Sequence, residues 1–272
     1  MIGVQDNHSG GPLIYLIDRN GHRDRFSFTI PDAGIIYVHG FAMSSDGTVA
    51  IAGGAVSGDS RAGSFLALVP PERKHQTVVR TWPYVAWEVA FVPDGSLWTV
   101  GYTFHDTEDR IVEPNIMSHF DSAGKLLASF PIAAKARFGS GQPAALQHSF
   151  LRTSSDRIGW FTNGMEYIEF SFDGRELGRY DGPDVRDPVD AVRTASLAIS
   201  DDNEVLYGLI LDAKRKTWAL DRQKRHWVPV QFQDPSLPAS GDLLGFDGAT
   251  LVTTGRLHEI RRYRAPGKTA TH

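Results

Sequence analysis

The segment from Val89 to Gly101, VAFVPDGSLWTVG, decides the fold. An apolar run ends at Pro93, Asp94-Gly95 follows, and a second, largely apolar run ends at Gly101. Asp-Gly between alternating runs is a strong hairpin signal, because the turn needs positive φ. The same layout recurs. FAMSSDGTVAIAG spans Phe41 to Gly53, and LLGFDGATLVTTG spans Leu243 to Gly255. SLAISDDNEVLYG (Ser196 to Gly208) has Asp-Asn at the turn, and SFLRTSSDRIGWFTNG (Ser149 to Gly164) has Ser-Asp. The turns fall at Asp46, Asp94, Ser155, Asp202 and Asp247, with spacings of 48, 61, 47 and 45 residues. Three of these spacings fit the roughly 40–50 residues of one four-stranded propeller blade.

Each unit carries a second hairpin. MSHFDSAGKLLASFPI (Met117 to Ile132) and YIEFSFDGRELGRY (Tyr167 to Tyr180) are strand, turn and strand. TWALDRQKRHWVPVQF (Thr217 to Phe232) and LIYLIDRNGHRDRFSFTI (Leu13 to Ile30) match them. A unit is therefore four strands, a-turn-b followed by c-turn-d. The a-strands segregate by size: Phe41, Val89, Phe150 and Leu197 alternate with Gly40, Glu88, Ser149 and Ser196. Period two is expected of strands sandwiched between neighbouring sheets. The predicted fold class is all-β: a single β-propeller over residues 1–272. Complete blades are expected at about 35–82, 83–132, 145–182 and 193–233, and partial ones at 1–30 and 239–264. Separate head and tail blades give six positions, the first lacking its a-strand and the last its d-strand. A shared blade gives five.

The arrangement VAFVPDGSLWTVG followed by IMSHFDSAGKLLASFPI resembles the NHL-type and related six-bladed β-propellers, and is similar to bacterial members of that group. Their cadence is apolar-x-apolar-x-x-Asp-Gly-x-apolar-Trp/Tyr-apolar, then Phe-Asp-x-x-Gly-Lys. The resemblance covers nearly the whole chain and implies the fold. Such propellers include peptide and RNA binders, lyases and lactonases, so it does not single out an activity.

Composition narrows the classes. The chain has 272 residues, 41% of them hydrophobic, and a formal net charge of −4. No global field favours nucleic acid, so none is expected as a partner. There are no cysteines, which excludes disulfides, thiolate metal sites and cysteine nucleophiles. No apolar run reaches the roughly 18 residues that span a bilayer. The opening MIGVQDNHSGG lacks the charge and apolar run of a signal peptide, and the compartment stays open: the missing first strand is compatible with a shortened chain and an extracytoplasmic setting.

In a propeller the b–c and d–a connections emerge on one face, around the mouth of the axial channel. The long connections fall there: 54–63, 102–115, 133–147 and 181–193. Long connections are uncommon without a use, so this face is the expected binding surface. Seven residues before each turn stand His39, Trp87, His148, Ala195 and Ser240, with Glu88 and Asp242 close by. His39, Trp87, Glu88, His148 and Asp242 are candidate ligand-binding residues, together with Trp82 and with His105 in the acidic loop His105 to Asp109.

Three uses of the histidines stand open. They can hydrogen-bond neighbouring blades. Imidazole and carboxylate both suit a divalent metal, so His39, His148, Glu88 and Asp242 are the alternative metal set. A histidine can also move a proton near neutral pH. The expected function is a non-catalytic binding or scaffold module for a protein, peptide or glycan, without a cofactor. The alternative is a hydrolase or lyase, lactonase-like, with a polar or metal site at the channel. An enzyme should gather these side chains around a perturbed histidine. A binding module should leave them apart, or bonded to blade backbone beside an exposed aromatic patch.

Overall fold

The computed structural model describes residues 2–8, 11–17, 22–59, 61–104, 111–134, 149–162, 165–184, 192–211, 214–230, 243–247, 250–254 and 260–264. The chain divides into two compact units. One comprises Met1–Ala134 with Gly139–Pro143, the other Lys135–Phe138 with Ala144–His272. All regular structure among the described residues is β-strand.

The first unit holds three antiparallel sheets. Strands β1 (Ile2–His8), β2 (Gly11–Ile17) and β3 (Arg23–Ser27) form the first, in that order. Strands β4 (Ala33–Met43), β5 (Val49–Ser57), β6 (Ala62–Val69) and β7 (Thr77–Arg80) form the second. Strands β8 (Tyr84–Phe91), β9 (Leu97–Phe104), β10 (Ile111–Phe120) and β11 (Leu126–Pro131) form the third. The second unit holds β12 (Phe150–Thr153), β13 (Ile158–Thr162), β14 (Glu166–Phe170) and β15 (Glu176–Asp181), then β16 (Val192–Ile199), β17 (Val205–Leu211), β18 (Lys214–Asp221) and β19 (His226–Val230). Its last sheet has three strands, β20 (Leu243–Asp247), β21 (Thr250–Thr254) and β22 (Ile260–Arg264). Neighbours in sequence pair in every sheet, as the hairpin signals require.

The turns carry the local chemistry expected of Asp-Gly. Gly47, Gly95 and Gly124 have φ of +92°, +85° and +85°, a region open to glycine at no steric cost. The preceding aspartate closes each turn: Asp46 Oδ1 accepts the Thr48 N–H at 3.0 Å, and Asp94 Oδ1 that of Ser96 at 2.8 Å. Asn203 (φ +68°) takes the glycine's place in the Asp-Asn copy, since asparagine tolerates this region.

The cores lie between sheets. Ile14 and Leu16 of β2 pack with Val49, Ile51, Phe65 and Ala67 of the second sheet. Ala50, Ala52, Leu66 and Leu68 on its other face meet Ala86, Val89, Leu97 and Phe120 of the third. In the second unit Phe161, Tyr167, Tyr207, Trp218 and Trp227 share one core, with Phe161 and Tyr207 stacked at 3.9 Å. The inner strands β5 and β6 thus alternate between two packed faces rather than between core and water.

Two expected loops are in part strand. Residues 54–63 continue the β5–β6 hairpin, with Ala55 paired to Gly63 and Val56 to Ala62. Of 102–115, residues up to Phe104 belong to β9 and those from Ile111 to β10, with Phe104 paired to Ile111. Glycine and polar residues give these stretches the composition of loops, but the ladder reaches into them at Ala55–Gly63, Val56–Ala62 and Phe104–Ile111. Of the expected connections, 135–147 and 185–191 lie outside the described residues, while Asp181 belongs to β15 and Val192 and Arg193 to β16.

Candidate functional site

The site begins with two bulges. Along β4, Val38 pairs with Gly53 and Gly40 with Ala52, so His39 is left over. Along β8, Ala86 pairs with Gly101 and Glu88 with Val100, so Trp87 is left over. A bulged residue is turned out of the ladder and re-aimed. Opposite each bulge stands a glycine with no room for a side chain. A Cβ on Gly53 would lie 2.1 Å from the Tyr37 carbonyl O, and one on Gly101 2.0 Å from that of Val85. The device recurs in register: histidine or tryptophan stands seven residues before the turn aspartate, and glycine seven after it.

Gly40 brings the two bulges together. A Cβ there would sit 2.5 Å from the Trp87 carbonyl O and 2.9 Å from Glu88 Cα, so β4 and β8 touch backbone to backbone. The His39 ring consequently stacks on Trp87, with centroids 4.3 Å apart and planes 22° apart. Its Nδ1 lies 3.3 Å from the Ala86 carbonyl O. A carbonyl only accepts, so Nδ1 carries the proton and Nε2 the lone pair. Burial pushes the His39 pKa below its usual value, against the opposing pull of the Ala86 carbonyl. The ring is therefore neutral at pH 7.

An aromatic strip runs on from Trp87. Tyr102 follows at 6.3 Å, Phe104 lies edge-on to Tyr102 at 5.3 Å, and Trp82 stacks on Phe104 at 5.9 Å with 14° between planes. Tyr102 and Phe104 point the same way because they stand two apart on β9. Burial pushes the Tyr102 phenol up to about 12, so it stays uncharged. Trp82 ends the strip with 37% of its surface exposed. Exposed Trp82, with half-buried Phe104 and Trp87, presents flat apolar faces at one end of the β8–β11 sheet over the buried Tyr102 ring, suited to sugar C–H faces, proline rings or aromatic side chains.

Of the expected residues, His39 and Trp87 are in contact, and Trp82 joins them through Phe104 and Tyr102. Glu88 is half-buried on β8, next to Trp87 in the chain. His105, His148 and Asp242 lie outside the described residues. Among the described residues no three histidine, aspartate or glutamate side chains gather as a metal site. Tyr102 and Phe104 were missed by the sequence reading. Their signal was the alternation Trp98, Val100, Tyr102, Phe104 running past Gly101.

Two polar clusters lie elsewhere. His119 Nε2 is 2.9 Å from Ser96 Oγ, and its ring stacks on Trp98 at 4.4 Å. In the second unit Glu169, 1% exposed, accepts one bifurcated hydrogen bond from Arg222 Nε at 3.0 and 3.1 Å, a second from Arg222 Nη2 at 2.5 Å and one from Arg157 Nη1 at 3.3 Å. Arg222 also donates to the Asn203 carbonyl O at 2.6 Å, tying a strand hairpin to a neighbouring turn.

No family model and no curated protein matches this sequence. Solved structures do. The chain is similar to the β-propeller domain of the Trilobed protease from Pyrococcus furiosus, which has an open velcro topology, with a TM-score of 0.53 and 10% identity over 87% of this chain and 70% of that one. It is similar to a protein from Lactobacillus plantarum, with a TM-score of 0.51 and 12% identity over 96% and 75% of the two chains. It is also similar to BBS1N, solved in complex with ARL6DN, with a TM-score of 0.51 and 9% identity over 94% and 75%. Together with the repeated four-stranded antiparallel sheets, these likenesses establish the fold: the chain is a β-propeller.

Proposed function

We propose that this β-propeller is a non-catalytic binding module of NHL-like type, built on six blade positions, whose ligand lies on Trp82, Phe104 and Trp87, the rings around buried Tyr102. One observation carries the reading. His39 is bonded to blade backbone at the Ala86 carbonyl and capped by Trp87, beside an aromatic row that ends in exposed Trp82. That is the arrangement expected of a binding surface, where rigid rings supply area at little entropic cost. The similar BBS1N structure holds a protein partner, ARL6DN, which is consistent with a protein or peptide ligand here. A glycan fits the same ring faces. The experiment is a thermal-shift panel of peptides and oligosaccharides on the wild type and Trp82→Ala. A ligand whose shift is lost in Trp82→Ala supports the reading; ligands that shift both proteins equally overturn it.

The hydrolase or lyase alternative draws on the neutral His39, whose Nε2 keeps its lone pair at pH 7 because burial lowers the ring's pKa. Its test is the same scan with divalent cations against chelator. A ligand of the folded state alone stabilises by RT ln(1 + [L]/Kd), about 2.7 kcal/mol at a hundredfold excess over Kd. A cation-dependent shift abolished by His39→Ala would favour that alternative.

A further inference from the structure

The outer strands of a blade are sheet edges, and edges invite pairing unless guarded by charge or proline. The described four-stranded sheets and the first sheet end on β3, β7, β11, β15 and β19. Four of these are guarded. β3 carries Arg23, Asp24 and Arg25; β7 ends in Arg80; β15 carries Glu176, Arg179 and Asp181; β19 has Pro229 in its interior. β11 reads Leu-Leu-Ala-Ser-Phe-Pro, with no charge and its proline only at the end. Leu126 and Leu127 are 52% and 53% exposed, against the usual burial of leucine. The bulge beside its turn does not distinguish it, because β15 has the same one.

The backbone phase of β11 follows from its partners. Ile132 N–H donates to the Asn115 carbonyl O, and Asp121 N–H to that of Lys125. Hydrogen-bonded pairs alternate with open pairs in an antiparallel ladder. The pairs of Leu126 with Phe120, Ser129 with Ser118 and Pro131 with Ile116 are therefore the open ones. Their backbone groups turn to the free edge: N–H and C=O at Leu126 and Ser129, and C=O at Pro131.

We propose that β11 is a self-association edge, at which a second copy of this chain adds its own β11 antiparallel across a two-fold axis. Ser129, near the middle of the strand with both N–H and C=O turned outward, faces itself there and exchanges N–H···O=C bonds reciprocally. Ala128 then lies opposite Phe130 and Leu127 opposite Pro131, so apolar meets apolar on either side of the serine pair. The absence of charge matters for this occupant, because a charged edge would confront its own charge in self-pairing. Two-fold pairing is also the commonest closed symmetry, and it removes both edges at once.

The test is sedimentation velocity of the whole chain from micromolar to submillimolar concentration, with one engineered cysteine as a second readout. The wild type is expected to sediment as a dimer at the upper end. Leu127→Lys should reduce it to a monomer with unchanged circular dichroism, and the homologous exposed leucine variant Leu177→Lys should leave it dimeric. Leu126→Lys serves if Leu127→Lys misfolds. The chain has no native cysteine, so Ser129→Cys reports alone. Cα atoms of a hydrogen-bonded antiparallel pair lie about 5.5 Å apart, within disulfide reach. A covalent dimer on mild oxidation supports the proposal. A monomer at every concentration, or a dimer indifferent to both lysines, overturns it.

Discussion

The imidazole of His39 lies on the indole of Trp87, 4.3 Å from centroid to centroid, although 47 residues of chain separate Nδ1 of the one from the carbonyl beside the other. Each ring is placed by a bulge in its own strand, so the contact reports the docking of β4 on β8. A double-mutant cycle of His39→Ala and Trp87→Ala should give a coupling of about 0.5–1.5 kcal/mol, the usual worth of an aromatic pair beyond its buried area. Chemical denaturation of the four proteins measures it; additive effects would mean the stack contributes nothing.

Stability should fall as pH drops through the histidine range. The folded pKa of His39 lies below the ordinary histidine value of 6.5, chiefly through burial. The unfolded state then binds more protons, so the stabilisation is whole above pH 6.5 and is lost as pH falls towards the folded pKa. His119 acts in the same direction, also through burial. His39→Phe keeps a ring for Trp87 and removes one of the two titrations. Its melting temperature should therefore depend less on pH between 7 and 5 than that of the wild type. The turn aspartates Asp46, Asp94 and Asp173 give a separate loss at lower pH. Hydrogen bonds from Ser44, Ser96 and Ser171 hold their pKa values below 3.8, so their contribution disappears only as pH falls below that value.

Gly40→Ala tests the close approach of β4 and β8. The added methyl meets backbone atoms at 2.5 and 2.9 Å, and no side-chain movement relieves it. The expected cost is about 1–3 kcal/mol, as for other overpacked sites. Urea unfolding checks it. A neutral substitution would mean the strands separate freely and the His39–Trp87 stack is not fixed by them.

Glu169→Gln leaves Arg157 and Arg222 without their shared anion. Both guanidinium groups keep some contact with water, so the loss should be roughly 3 kcal/mol, the lower end for breaking a buried pair. Calorimetry should show a lower melting temperature, and high salt should narrow the gap to the wild type.

The fold was legible because its information is local. Asp46-Gly47, Asp94-Gly95 and Asp121 to Gly124 need positive φ, and the flanking residues keep period two. The bulges were not legible. A one-residue slip at His39 or Trp87 is imposed by the neighbouring sheet, through Gly40 against the Trp87 carbonyl, and no window of one strand contains that contact. His39 and Trp87 are marked in the sequence by their distance to the turns. Tyr102 and Phe104 were hidden because the polar, acidic run from His105 to Arg110 made the end of β9 look like loop.

The most direct measurement of the binding surface is the set of indole N–H resonances. The chain has six tryptophans, so each can be assigned by substitution and followed as a peptide or oligosaccharide hit from the thermal panel is added. Trp82 and Trp87 should move in proportion to occupancy. Trp160, Trp218 and Trp227, buried in the second unit, should stay still. A bound ligand that shifts those three and leaves Trp82 and Trp87 unmoved would contradict the account and place the binding surface elsewhere.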